Sequence, residues 1–143
     1  MDLTDKAREI FRHDRYATQA TGIIVDHVDD QEVICSMTIE ERHCNARDVV
    51  MGGALFTLAD FTAAVAANMD RRCPVGTEEE TTLHWVSLNA TIHYLSPAPL
   101  GTTLRASCKP LKLGRSTALF QTTIESPDNG KRIAIVETTM IHV

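Results

Sequence analysis

Between residues 2 and 13, Leu3, Ala7, Ile10 and Phe11 recur at helical spacing among charged neighbours, which predicts a short amphipathic helix. From Thr21 the pattern changes. Gly22-Ile23-Ile24-Val25 is rich in β-branched residues, Asp29-Asp30 supplies a turn, and Glu32 to Ile39 repeats the strand character, so this stretch predicts a hairpin. Residues 40–51 are polar and irregular, and they lead into a run from Gly52 to Asn68 that is rich in Ala and Leu and free of Pro. One long helix is predicted there, with Asn68 suited to its end. The run is apolar almost all round, as expected of a buried helix wrapped by other elements.

A polar connection over residues 69–80, ending in Glu78-Glu79-Glu80, precedes four strand-like runs: Thr82 to Leu95, Thr102 to Leu111, Ser116 to Ser126 and Arg132 to His142. In the first, Val86, Leu88, Ala90, Ile92 and Tyr94 alternate with Ser87, Asn89, Thr91 and His93, so one face is expected to be buried with Ser87 on the other. Pro97-Ala98-Pro99-Leu100-Gly101, Leu113-Gly114 and Pro127-Asp128-Asn129-Gly130 separate the runs with turn chemistry. Connections this short require a mainly antiparallel sheet, and only the central helix can cover one of its faces. The prediction is an α+β fold, an antiparallel sheet wrapped around a long central helix.

With 143 residues the chain is expected to form one domain over 1–143. Its 43% apolar and 23% charged content is that of a globular protein. Nineteen acidic residues against fourteen basic ones give a net charge of -5, which argues against a nucleic-acid partner. The seventeen-residue apolar run carries a central Asp60 and falls short of the roughly twenty residues a membrane span needs, so no membrane partner is expected. Met1 to Arg15 lacks the apolar stretch of a signal peptide, and the expectation is a cytoplasmic protein. Cys35, Cys44, Cys73 and Cys108 form no Cys-x-x-Cys pair, and the six His residues show no metal-binding spacing. Reduced, idle thiols are expected, with no metal and no cofactor.

The segment from Asn45 through Met51-Gly52-Gly53 to Asp60 resembles the helix-entry motif of hotdog-fold acyl-CoA thioesterases of the phenylacetate-degradation type. In that family an Asn precedes a His-Gly-Gly by six positions, and a carboxylate follows the first Gly by eight. Ser87 to Ala98 is similar to the family's next strand, and Gly114-Arg115-Ser116 to its later strand entry. The likeness runs from about residue 20 to the C-terminus, with one departure: Met51 stands where the family has His. It implies a hotdog fold, hydrolysis of an acyl-CoA thioester, and a homodimer or dimer of dimers that shares its sites between subunits.

The residues support that chemistry in their own terms. Gly52 and Gly53 open a helix whose first N–H groups lack intrahelical partners, so a thioester carbonyl can approach closely and have its developing oxyanion stabilised there. The plain alternative is a tight turn. Asp60, mid-helix in an apolar stretch, reads as a general base or a nucleophile, against a structural Asp capping a neighbouring loop. Eight residues of helix separate Gly52 from Asp60 by about 12 Å, too far for both to reach one carbonyl from one chain. Two helices packed antiparallel across a two-fold would bring one chain's Gly52 to the other's Asp60.

Asn45 is a candidate to hold water or the carbonyl, or else a turn residue. The resemblance gives Ser87 a part in positioning water. Lys109, Lys112 and Arg115 surround a turn and are either solvated charge or a seat for the phosphates of coenzyme A. Met51 cannot donate a hydrogen bond as His can, so turnover is expected to be slow. That same feature keeps a second reading in play, a weakly active or non-catalytic acyl-CoA binding module. A hotdog dehydratase is a weaker third, since that chemistry pairs a His with a carboxylate.

Overall fold

A computed structural model describes residues 2–69 and 83–143 of the chain. Helix α1 (Leu3–Phe11) is capped by Asp2, whose side chain accepts from the Asp5 N–H at 2.8 Å. A π-helical turn over Tyr16–Ala20 follows, and Gly22, at φ 77°, redirects the chain into β1 (Ile24–Val28). The expected hairpin with β2 (Val33–Thr38) forms, but its first strand starts later than the sequence pattern places it. Gly22 belongs to the preceding turn, in a left-handed conformation that only glycine adopts readily.

The remaining elements are α2 (Gly52–Met69), β3 (Trp85–Tyr94), β4 (Thr103–Leu113), β5 (Thr117–Ser126) and β6 (Lys131–His142). All six strands join one sheet in the order β1-β2-β4-β5-β6-β3, with every pair antiparallel. Its inner face buries Met37, Leu104, Ala106, Phe120, Ile124, Val136 and Met140, and α2 packs along it through Leu55, Leu58, Ala59, Thr62 and Val65. Phe11 of α1 meets Phe61 edge to face at 5.7 Å. This is the hotdog architecture, a sheet wrapped around a helix. The acidic run Glu78-Glu79-Glu80 and Cys73 lie outside the described residues.

Cys35 and Cys108 point into the core, where burial pushes both thiols up to about 12 and removes the reactive thiolate.

Two features depart from the sequence reading. First, α2 is not covered all round: Gly53, Phe56, Asp60 and Ala64 form a stripe along it that the sheet leaves unburied. The sheet stops at β3, so the helix face beyond that edge has no neighbouring strand among the described residues. Second, the alternation in β3 is broken. Ser87 pairs with Met140 and Asn89 with Thr139, so Leu88 is an extra, bulged residue. The bulge turns Ser87 inward with Trp85, Ala90, Ile92 and Tyr94, while Val86 and Leu88 are 45% and 57% exposed.

The sheet's two edges are treated differently. On β1, the Arg8 Nε donates to the Val25 carbonyl at 2.8 Å and the Val28 N–H donates to Thr4 Oγ1 at 2.9 Å, so α1 satisfies an edge that would otherwise seek a partner strand. On β3, past Trp85, no described side chain bonds the backbone.

Trp85 itself is tied down by Asn68, which is 2% exposed at the end of α2. Asn68 Oδ1 accepts from the N–H groups of His84 and Trp85 at 3.0 and 3.1 Å, and its Nδ2 donates to the carbonyls of Ala64 and Trp85 at 2.9 and 3.1 Å. Asn68→Ala strands buried backbone groups of Trp85 and is expected to cost about 3 kcal/mol of stability, measured by urea unfolding with Trp85 fluorescence. A loss below about 1 kcal/mol would show that water replaces the amide.

Candidate active site

The entry to α2 is built by a clamped loop. His43 is 4% exposed; its Nδ1 accepts from the Glu40 N–H at 2.9 Å, and its Nε2 then donates to the Thr21 carbonyl at 2.8 Å. The His43 carbonyl accepts from the Met51 N–H at 2.7 Å, and the Val50 N–H donates to Ala98 at 2.9 Å. These bonds fix the direction in which the chain enters the helix. His43 is a positioning residue that sequence reasoning missed, because a lone His in a polar loop carries no signal for a backbone partner 22 positions away.

The Met51 carbonyl accepts from Ala54 N–H at 3.0 Å and Leu55 N–H at 3.3 Å, which leaves the N–H groups of Gly52 and Gly53 without a bond among the described residues. Both sit at the positive end of α2. A Cβ on Gly52 would lie 3.0 to 3.1 Å from Cζ, Cε1 and Oη of Tyr94, so the aromatic ring rests where a side chain would be. A Cβ on Gly53 would meet only Met51 Cε, at 3.6 Å. Tyr94, Gly52, Val50, Leu55, Leu95, Ser96 and Pro97 line an open groove of about 380 Å³ at this helix end. Tyr94 is the second residue that the sequence did not mark, having been read only as one apolar strand position.

Two turns further on, Asp60 lies half-buried on the open stripe of α2. Ser87 Oγ donates to Asp60 Oδ1 at 2.8 Å. Asp60 Oδ2 takes no bond among the described residues. Among the described residues the carboxylate caps no loop and is held by one hydroxyl. Ser87 reaches it only because of the bulge at Leu88.

Other expected site residues are not brought together in one chain. Asn45 is exposed, its Oδ1 accepts from the Arg47 N–H at 2.9 Å, and it closes a turn in which Asp48 has φ 58°. Met51 is 55% exposed and offers no polar atom. Lys109, on β4 with Lys112, lies 3.9 Å from Glu32. Lys112 and Arg115 are exposed beside and on the β4–β5 turn, at the Ser87 end of the sheet but separated from β3 by β5 and β6.

Gly52 meets Tyr94 near one end of β3, and Asp60 meets Ser87 near the other. The profile of the thioesterase superfamily matches residues 48–133, which take in both glycines, Asp60, Ser87 and Tyr94. The chain belongs to the thioesterase superfamily. It is 33% identical over 103 residues to acyl-coenzyme A thioesterase 13 from Homo sapiens, covering 72% of this chain and 67% of that one. Identity to acyl-coenzyme A thioesterase PaaI from Escherichia coli K12 is 27% over 114 residues, covering 80% and 73%. The structure of the E. coli PaaI protein from the phenylacetic acid degradation operon superposes with a TM-score of 0.79 at 25% identity, covering 99% of this chain and 96% of that one. These likenesses agree with the hotdog architecture.

Within this superfamily member the two glycines should behave differently. The half-exposed Tyr94 ring is free to swing, so Gly52→Ala is expected to stay within about 1 kcal/mol of the parent in thermal unfolding while displacing the ring. Gly53→Ala has room and is expected to be neutral or stabilising by up to about 1 kcal/mol, through helix propensity. Equal, large losses for both would contradict this reading of the helix entry.

Proposed function

We propose that the chain hydrolyses acyl-CoA thioesters at two equivalent sites, each formed by the helix entry of one subunit and the Asp60–Ser87 pair of another. The observation that carries this is their separation: Gly52 and Asp60 lie about 12 Å apart along one helix, yet both border the β3 edge, which no strand among the described residues covers. A partner strand added antiparallel to β3 would extend the sheet and lay the partner's α2 against the open stripe of Gly53, Phe56, Asp60 and Ala64. Membership of the superfamily supports the hydrolytic reading, and so does the name of the human relative.

In this mechanism the thioester oxygen sits on the N–H groups of Gly52 and Gly53, and the partner's Asp60 draws a proton from a water that attacks the carbonyl carbon. The tetrahedral oxyanion collapses, the carbon–sulfur bond breaks, and the proton held by the carboxyl passes to the departing thiolate. Ser87 keeps Asp60 Oδ1 occupied, which leaves Oδ2 for the water. We assign Gly53 and Met51 to the rim of the acyl site, Lys112 and Arg115 to the phosphates of coenzyme A, and Asn45 to the water or carbonyl side of a site completed by the second subunit. No helix among the described residues is long and apolar enough to cross a membrane. A cytoplasmic setting suits the unpaired thiols of Cys35, Cys44 and Cys108.

Asp60→Asn preserves size and removes the base, so thiol release from acyl-CoA should fall by at least about a hundredfold while the circular dichroism spectrum is unchanged. A folded variant with near-parental turnover would overturn the assignment. By light scattering the protein should have at least twice the 15.8 kDa chain mass. A folded and active monomer would contradict the shared site.

A further inference from the structure

We infer that the Tyr94 hydroxyl is a hydrogen-bond donor to the thioester oxygen, completing an oxyanion site with the Gly52 N–H. The inference rests on the hydrolase reading above and adds a catalytic residue to it. The argument begins with space. The missing Cβ of Gly52 lets the Tyr94 ring settle on the helix end, with Oη 3.1 Å from the vacant Cβ position. The Gly52 nitrogen lies about 2.5 Å from that same position by covalent geometry, so Oη and the nitrogen are at most about 5.6 Å apart. One oxygen atom accepting from an N–H at about 2.9 Å and an O–H at about 2.7 Å spans up to that separation.

The hydroxyl is also available. Its bond to the Gly52 carbonyl is 3.4 Å long, at the weak end for a phenol, and Tyr94 is 55% exposed at the mouth of the groove. Moving the O–H from that carbonyl to an incoming oxygen therefore gives up little. Met51, the neighbour across the helix entry, has no donor to offer. Tyr94 keeps its proton throughout. It donates a hydrogen bond that strengthens as negative charge builds on the oxygen, and this lowers the barrier to water attack more than it tightens substrate binding.

Tyr94→Phe keeps the ring on Gly52 and removes only the hydroxyl. Thiol release should show kcat reduced about tenfold or more with KM changed less than about threefold, whereas Tyr94→Ala, which removes the wall, should raise KM as well. The second measurement uses two non-hydrolysable probes, a ketone analogue in which CH2 replaces the thioester sulfur and an S-alkyl-CoA thioether without the carbonyl. By calorimetry the parent protein should prefer the ketone, and Tyr94→Phe should lose most of that preference while its affinity for the thioether stays the same. Parental kcat in Tyr94→Phe, or equal weakening toward both probes, would overturn the role of Tyr94. A parent protein that releases no thiol from any acyl-CoA would instead overturn the hydrolase reading, and the probe pair would still report on Tyr94.

Discussion

A helix rises about 1.5 Å per residue, and that fixed rise is the constraint on which the proposed site depends. The two groups with useful chemistry, the N–H pair at Gly52 and Gly53 and the carboxylate of Asp60, are set eight residues apart, from Gly52 to Asp60, on one helix, α2. They cannot converge inside one chain. In the proposed dimer they converge between two chains. Among the described residues the sheet covers most of α2 but stops at β3, the stripe bearing Asp60 is left open, and the edge next to it is bare. The opposite edge, on β1, is closed by Thr4 and Arg8. A sheet with one capped and one open edge has a single direction in which to grow.

The local chemistry follows from small details of backbone. Gly52 is needed less for its φ than for its lack of a side chain, since the Tyr94 ring occupies the space that a Cβ would fill. The loop before it is rigid because His43 uses both ring nitrogens on backbone partners and its own carbonyl on the Met51 N–H. One extra residue in β3 turns Ser87 toward Asp60, and without it the hydroxyl would face away from the helix. Each detail positions one group.

Much of this was legible in the sequence. The strand-like runs located β4, β5 and β6 to within two residues at either end; the Ala- and Leu-rich run located α2, and turn residues separated the strands. Gly52 and Asp60 stood out because a double glycine at a helix start and a carboxylate in an apolar helix are both costly without a purpose. What stayed hidden was non-local. The bulge at Leu88 sits in a run whose apolar alternation looks unbroken from Val86 to Tyr94, with no Gly or Pro to mark it. The approach of Glu32 to Lys109, 77 positions on, has no mark in the sequence. Tyr94 and Gly52 meet across 42 positions of chain, and His43 and Thr21 across 22, through contacts that only the finished fold creates.

The shared site is tested most directly by complementation. Gly52→Val obstructs the carbonyl's approach and Asp60→Asn removes the base, so each homodimer should be inactive once circular dichroism has shown that both variants fold. Unfolding, mixing and refolding them in equal amounts should put about half of the chains into heterodimers, with both lesions in one site and neither in the other, and so restore roughly a quarter of the parental activity. Activity in the mixture no higher than in the separate variants, with both folded and dimeric, would contradict a site built from two subunits.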